Sequence, residues 1–154
     1  MKIAVAAIGR LGRGPEAELV KTYAERATAA GRALGLGPVE VIEVEARKPG
    51  KAAEAEALKP HLADSHVIAC DEHGTQRTSR AFAEEIAALR DRGVRRLVFL
   101  IGGADGLDPA LLAQANGKLA FGPQTWPHAM ARAMLAEQIY RAVTILAGSP
   151  YHRD

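Results

Sequence analysis

Five short apolar runs, each set off from the next by a stretch with helical spacing, constrain this chain more than any other feature. The runs are Lys2–Ile8, Val39–Val44, His66–Cys70, Arg96–Ile101 and Lys118–Phe121. A helix is predicted over Pro15–Leu34. Pro15 suits a first helical position, Leu19, Tyr23 and Ala27 fall on one face, and Gly35 and Gly37 end it. Further helices are predicted over Ala52–Leu62, with a restart at Pro60, and over Arg80–Arg92, where Phe82, Ile86 and Leu89 share a face and Gly93 stops the run. Asp108-Pro109 is an N-cap followed by proline, opening a helix that runs to about Asn116-Gly117. His128–Leu146 is the longest, with Leu135, Ile139 and Val143 on one stripe. Strands alternating with helices predict one α/β domain over residues 1–154, with a mainly parallel sheet and helices on both faces. Val39–Val44 is apolar in both registers and reads as mostly buried.

In such sheets ligands bind beyond the carboxyl ends of the strands. Three loops fall there: Asp71–Ser79, Gly102–Asp108 and Gly122–Pro127. All lie in the second half of the chain. The first half is then scaffold or an RNA-facing surface.

The loop "IGGADGLDP" has glycines at 102, 103 and 106, which let backbone approach a ligand closely. It is no phosphate loop, because no Lys-Ser/Thr follows the glycines. Asp105 and Asp108 place negative charge where a phosphate would lie. A cationic or neutral ligand fits better; a plain tight turn with an N-cap is the competing account.

Three segments in this order, "LVFLIGGADGLDP", "WPHAMARAMLAEQIYRA" and "SPYHRD", resemble the SPOUT-class RNA methyltransferases of the RlmH type. The resemblance spans the whole chain. It implies a methyltransferase that uses S-adenosylmethionine to modify N3 of a pseudouridine in large-subunit ribosomal RNA, acting as a cytoplasmic homodimer on an assembled ribosome. It also implies a deep trefoil knot in the C-terminal part, which no pattern in the sequence would suggest. Carried over by motif, the methyl donor is held by Cys70, by Gly102 with Gly103, and by Phe121, Gly122, Pro123, Gln124, Thr125 and Trp126. Cys70 stands where the family usually has leucine, and a thiol is small and apolar enough to pack on adenine. "FGPQTW" departs from the commoner serine-rich, methionine-containing version, so backbone contacts carry over better than side-chain contacts. A sulfonium donor has no phosphate and tolerates neighbouring carboxylates, which suits the glycine loop.

Methyl transfer to a pseudouridine N3 requires alignment, a route for the N3 proton, and donors for the flanking carbonyl oxygens. His152, Arg153, Tyr151, His128, Tyr140 and Arg141 are the polar groups that could serve. The resemblance places the tail bearing Tyr151, His152 and Arg153 over an active site, that of the partner protomer. His128 opens the last helix and reads equally as a polar first-turn residue. Glu137 and Arg141 stand four residues apart and are expected simply to pair. Arg132 reads as a solvated or phosphate-facing charge. The apolar stripe Leu135, Ile139 and Val143 is a candidate dimer face or ordinary core.

His73 and Asp71 have no companions at metal-ligand spacing, so no metal is expected. No G-x-S-x-G is present to support hydrolysis. The single cysteine permits no internal disulfide and suits a reducing compartment. The N-terminal run is too short for a membrane span and reads as a strand. Net charge is only +2, so a nucleic acid would be held by a local patch, with Arg10, Arg13, Arg47, Lys48 and Lys51 in N-terminal loops as candidates. A non-catalytic nucleotide-binding or ribosome-associated α/β module is the alternative from another function class.

Overall fold

β1 (Lys2–Ile8) and β4 (Arg96–Ile101) are apolar along nearly their whole length, and the computed structural model, which describes residues 1–154, puts them at the sheet's centre. Strands covered on both faces need both side-chain registers apolar, and these two meet that requirement. The other strands are β2 (Val39–Val44), β3 (His66–Gln76) and β5 (Gly117–Ala120). The order is β2-β1-β4-β3-β5, and every pairing is parallel.

The helices are α1 (Pro15–Gly31), α2 (Lys51–Leu58), α3 (Ser79–Asp91), α4 (Pro109–Gln114) and α5 (His128–Leu146). They cover both faces. On one, Phe82, Ile86 and Leu89 of α3 and Leu135, Ile139 and Val143 of α5 pack with Ile3, Val5, Phe99 and Ile101. On the other, Ala55 and Leu58 of α2 and Leu111 of α4 pack with Ala4, Ala6, Val98 and Leu100. Pro60 ends α2 in a 3-10 turn, Lys59–His61. Asp108 caps α4, its Oδ1 accepting from the Ala110 N–H at 2.8 Å.

Four readings need correction. β2 is an edge strand and is largely half-buried or exposed, because only β1 pairs with it. On α1 the buried face is Val20, Ala24, Ala27 and Gly31, and Leu19 is exposed. The α5 stripe Leu135, Ile139 and Val143 is fully buried core and cannot be a dimer face. The polar stretch after Cys70 is mostly strand. Cys70 and Thr75 both partner Leu119, so Asp71–Gly74 bulges out before β3 resumes to Gln76. Its polar composition conceals that pairing because residues 71–76 lie at the sheet's rim, away from the core.

Candidate active site

The strand order decides what converges. β4, β3 and β5 are neighbours, so the turns leaving their carboxyl ends lie side by side. These are Gly102–Asp108, Asp71–Gly74 and Phe121–Pro127. The donor candidates Cys70, Gly102, Gly103 and Phe121–Trp126 therefore share one end of the sheet. Thr125 Oγ1 donates to Glu72 Oε2 at 3.1 Å, tying the β5 turn to the β3 bulge. Trp126 Nε1 donates back to the Phe121 carbonyl at 3.1 Å and closes its own turn.

The glycine turn is tight against itself. Gly106 N donates to the Gly103 carbonyl at 3.0 Å. A Cβ on Gly102 would stand 2.7 Å from the Gly106 backbone, and φ at Gly106 is +79°. A Cβ on Gly103 would instead meet the Glu54 carboxylate at 2.9 Å. Glycine at 102 is thus a packing requirement, and at 103 it leaves room beside a carboxylate. Cys70 is partly buried against the larger core, and burial, with the Asp71 charge adding, pushes its thiol up to about 12. It is a neutral, apolar wall at neutral pH.

The tail folds onto α5. Tyr151 Oη donates to Glu137 Oε1 at 2.9 Å, and Arg141 donates to the same oxygen from Nε at 3.0 Å and Nη2 at 2.6 Å. The expected Glu137–Arg141 pair exists, but Glu137 also anchors the tail. The Tyr151 ring lies 4.7 Å from the Tyr140 ring and 4.8 Å from the Arg141 guanidinium carbon. Burial, then the hydrogen bond to Glu137, raises Tyr151 above the ordinary phenol range, so it is a hydrogen-bond donor here and no base. The bond to Glu137 likewise raises Arg141.

His152 Nδ1 lies 3.1 Å from Arg141 Nη1, and its Nε2 lies 3.0 Å from Asp154 Oδ1. A guanidinium only donates. The contacts therefore assign the proton to Nε2 and the lone pair to Nδ1, facing Arg141. Asp154 also accepts from Arg80 on α3 at 2.5 Å; the Arg80 bond first, then that to His152, holds its carboxyl below the usual range.

Of the catalytic candidates, Tyr140, Arg141, Tyr151 and His152 are together. Arg153 is exposed at their edge, and His128 is exposed at the start of α5. Thirteen residues of helix separate His128 from Arg141, about 20 Å at 1.5 Å per residue. One protomer cannot bring both to the same reacting atom.

Arg132 is the largest surprise. It is 0% exposed. Nη1 donates to Glu43 Oε2 at 2.9 Å, and Nη2 donates to the Ile8 and Gly9 carbonyls, each at 3.1 Å. Nε has no partner. Burial lowers its pKa, and Glu43 acts against that shift. It is neither solvated nor phosphate-facing: it staples α5 to the carboxyl ends of β1 and β2. One signal was available, since Arg132 precedes Leu135, Ile139 and Val143 at helical spacing on the buried stripe. Arg132 and Glu43 also line a groove of about 450 Å³ between α1 and β2, which includes none of the donor-loop residues.

Residues 1–152 match a family model described as a predicted SPOUT methyltransferase. Two curated relatives, both named ribosomal RNA large subunit methyltransferase H, cover this whole chain. One from Phenylobacterium zucineum is 82% identical with all of its own length covered, and one from Caulobacter vibrioides is 70% identical with 99% covered. Among solved structures, a probable methyltransferase from Bordetella pertussis superposes with TM-score 0.57 at 17% identity, over 92% of this chain and 96% of that one. A probable methylase family protein from Haemophilus influenzae gives TM-score 0.57 at 14% identity, over 99% of this chain and 70% of that one. At those identities the two structures speak for the fold alone.

Proposed function

The chain belongs to the SPOUT methyltransferase family, and from that premise we propose that it methylates N3 of a pseudouridine in large-subunit ribosomal RNA with S-adenosylmethionine as donor. The observation that carries the reading is the convergence of the β4, β3 and β5 turns at one sheet end. The residues there fit the donor: two glycines at a close-packed turn, a neutral thiol and carboxylates that do not repel a cation.

Cys70, Gly102, Gly103 and Phe121–Trp126 would hold the donor. When bound, it supplies an electrophilic methyl group on a positively charged sulfur. The chain's own residues must orient the base and manage charge. Negative charge builds on the uracil carbonyl oxygens as the N3 proton leaves, and Arg153, Arg141 and Tyr151 are the donors within the tail cluster that can oppose it. The Nδ1 atom of His152 is occupied by Arg141 in this network. It can accept a proton once Arg141 turns to the substrate.

The reading includes a homodimer and the family's trefoil knot. What supports the dimer is the separation of about 20 Å along α5 between His128 and Arg141. Setting the tail of one protomer across the donor turns of its partner removes that separation.

The test is direct. Calorimetry with S-adenosylmethionine and S-adenosylhomocysteine should show binding to the purified protein. Mass mapping of ribosomal RNA from a strain lacking the gene should show loss of one methyl group from a pseudouridine. No binding of either compound would end the donor assignment; an unchanged RNA map would end the substrate assignment.

A further inference from the structure

We infer that the turns leaving β1 and β2 form a preorganised cationic rim that grips phosphates of the RNA substrate beside the donor turns. This rests on the proposed function for the identity of the polyanion.

β1 and β2 end in register, Ile8 against Val44, and Gly9 N donates to the Val44 carbonyl at 2.9 Å. The turns 9–14 and 45–50 thus begin side by side. β4 flanks β1 on its other side, Ala7 against Ile101, so the glycine turn starts next to Gly9. Around this edge stand Arg10, Arg13, Arg47, Lys48 and Lys51, all exposed. Only Arg10 has an acidic partner within 4.0 Å, Glu45 at 3.3 Å, a contact that bridges the two turns. The acids nearest in sequence beyond these turns are Glu16 and Glu18 in the first turn of α1 and Glu54 in the first turn of α2, three residues from Lys51. The chain's net charge is only +2, so three unpaired cations in two adjoining turns and a fourth, Lys51, at the start of α2 are a local concentration and no reflection of overall composition.

Two further features argue against scattered solubilising charge. Lys51 occupies the first position of α2, where the helix dipole disfavours a cation. α2 has no side-chain cap and begins at Gly50, leaving the Lys51, Ala52 and Ala53 N–H groups free to meet phosphate oxygens, whereas α1 begins with Pro15 and offers only the Glu16 N–H. Beneath the rim lies a buried charge. Arg132, wholly buried, holds the Ile8 and Gly9 carbonyls, while Glu43 Oε2 accepts from both Arg132 and the Leu11 N–H, the latter at 2.8 Å. A buried ion pair contributes little net stability compared with apolar packing, but it fixes geometry. Here it fixes the turn that presents Arg10 and Arg13.

The experiment uses the full-length protein and assembled bacterial ribosomes purified from a strain lacking the gene, with binding measured across a salt series and methylation at saturating donor. The variant is Arg13→Gln/Arg47→Gln/Lys48→Gln/Lys51→Gln. Its partner, Lys2→Gln/Arg92→Gln/Arg95→Gln, removes exposed charge from the opposite end of the sheet. Each phosphate contact adds about 0.7–0.9 to the salt slope, so the rim variant should lose about 3 from it, with Kd and KM for the ribosome raised about a hundredfold at 0.15 M salt. Its kcat and its affinity for S-adenosylhomocysteine should hold, and the opposite-end variant should keep the wild-type slope. An unchanged slope and KM in the rim variant would overturn the inference, as would equal losses in both variants. If the wild type binds these ribosomes through the rim but transfers no methyl group, the proposed function fails and the rim stands. If the wild type does not bind ribosomes at all, the rim fails.

Discussion

Replacing Arg132 with methionine tests the buried staple. The side chain is 0% exposed, and the substitution removes three donated hydrogen bonds, to Glu43 Oε2 and to the Ile8 and Gly9 carbonyls. Removing one member of a buried pair costs about 3–5 kcal/mol, mostly from the stranded partner. Glu43 is 38% exposed and keeps the Leu11 N–H, which discounts that penalty. Arg132 Nε is unpartnered already, so methionine also relieves one cost. A loss of about 3 kcal/mol follows, which at a urea m-value of about 2 kcal/mol/M moves the midpoint down by about 1.5 M. Equilibrium unfolding by far-UV circular dichroism measures it, at one fixed protein concentration because association would add to apparent stability. Glu43→Gln strands the buried guanidinium and should also destabilise. The double variant should lose at least about 1 kcal/mol less than the sum of the two single losses. A single-variant loss under about 1 kcal/mol, or two effects that simply add, would refute the account of Arg132 as a paired buried charge.

Gly102→Ala should lower the thermal midpoint and weaken donor binding at least tenfold, because its Cβ meets fixed backbone at 2.7 Å, whereas Gly103→Ala meets only the movable end of Glu54 and should leave the midpoint within a few degrees; calorimetry and a melting curve read both. At pH 8 the native Cys70 thiol, raised to about 12 from an ordinary 9.0, should hold about a thousandfold fewer thiolates than a free cysteine, so a disulfide reagent should label it only on unfolding; rapid labelling of the folded protein contradicts its burial. The same raised value sets a sign. Stability from the neutral thiol is complete below pH 9 and declines as pH rises toward 12, because the unfolded chain releases its proton first; a urea midpoint that rises over that range counts against it. Deleting Tyr151–Asp154 should abolish methylation of ribosomes yet leave S-adenosylhomocysteine binding within about threefold, since no residue of the proposed donor turns hydrogen-bonds the tail; turnover at a normal rate would remove the tail from the site.

Most of the elements were legible because their signals are local. β1, β4 and α5 have the bounds that apolar runs and the proline and glycine punctuation imply. The all-parallel sheet with two covered faces follows from strands alternating with helices. Gly102 and Gly103, proposed to hold the donor, and the tail residues Tyr151, His152 and Arg153 stand out in the sequence by residue type and motif. β3 beyond Cys70 was not legible, because a polar rim strand carries no apolar alternation and its partner β5 lies more than forty residues on.

What the chain alone determined is which segments are helix, which are strand and which side chains prefer the interior, since those depend on neighbours within a turn or two. What only the tertiary structure decided is who meets whom. Strand order brings three turns together, and Glu43 finds Arg132 across 89 residues, a pairing that turns an apparently solvated cation into the pin beneath the β1 turn. The reason is that a buried charge takes its meaning from its partner, and nothing in the local spacing of a helix says which distant carboxylate will be there.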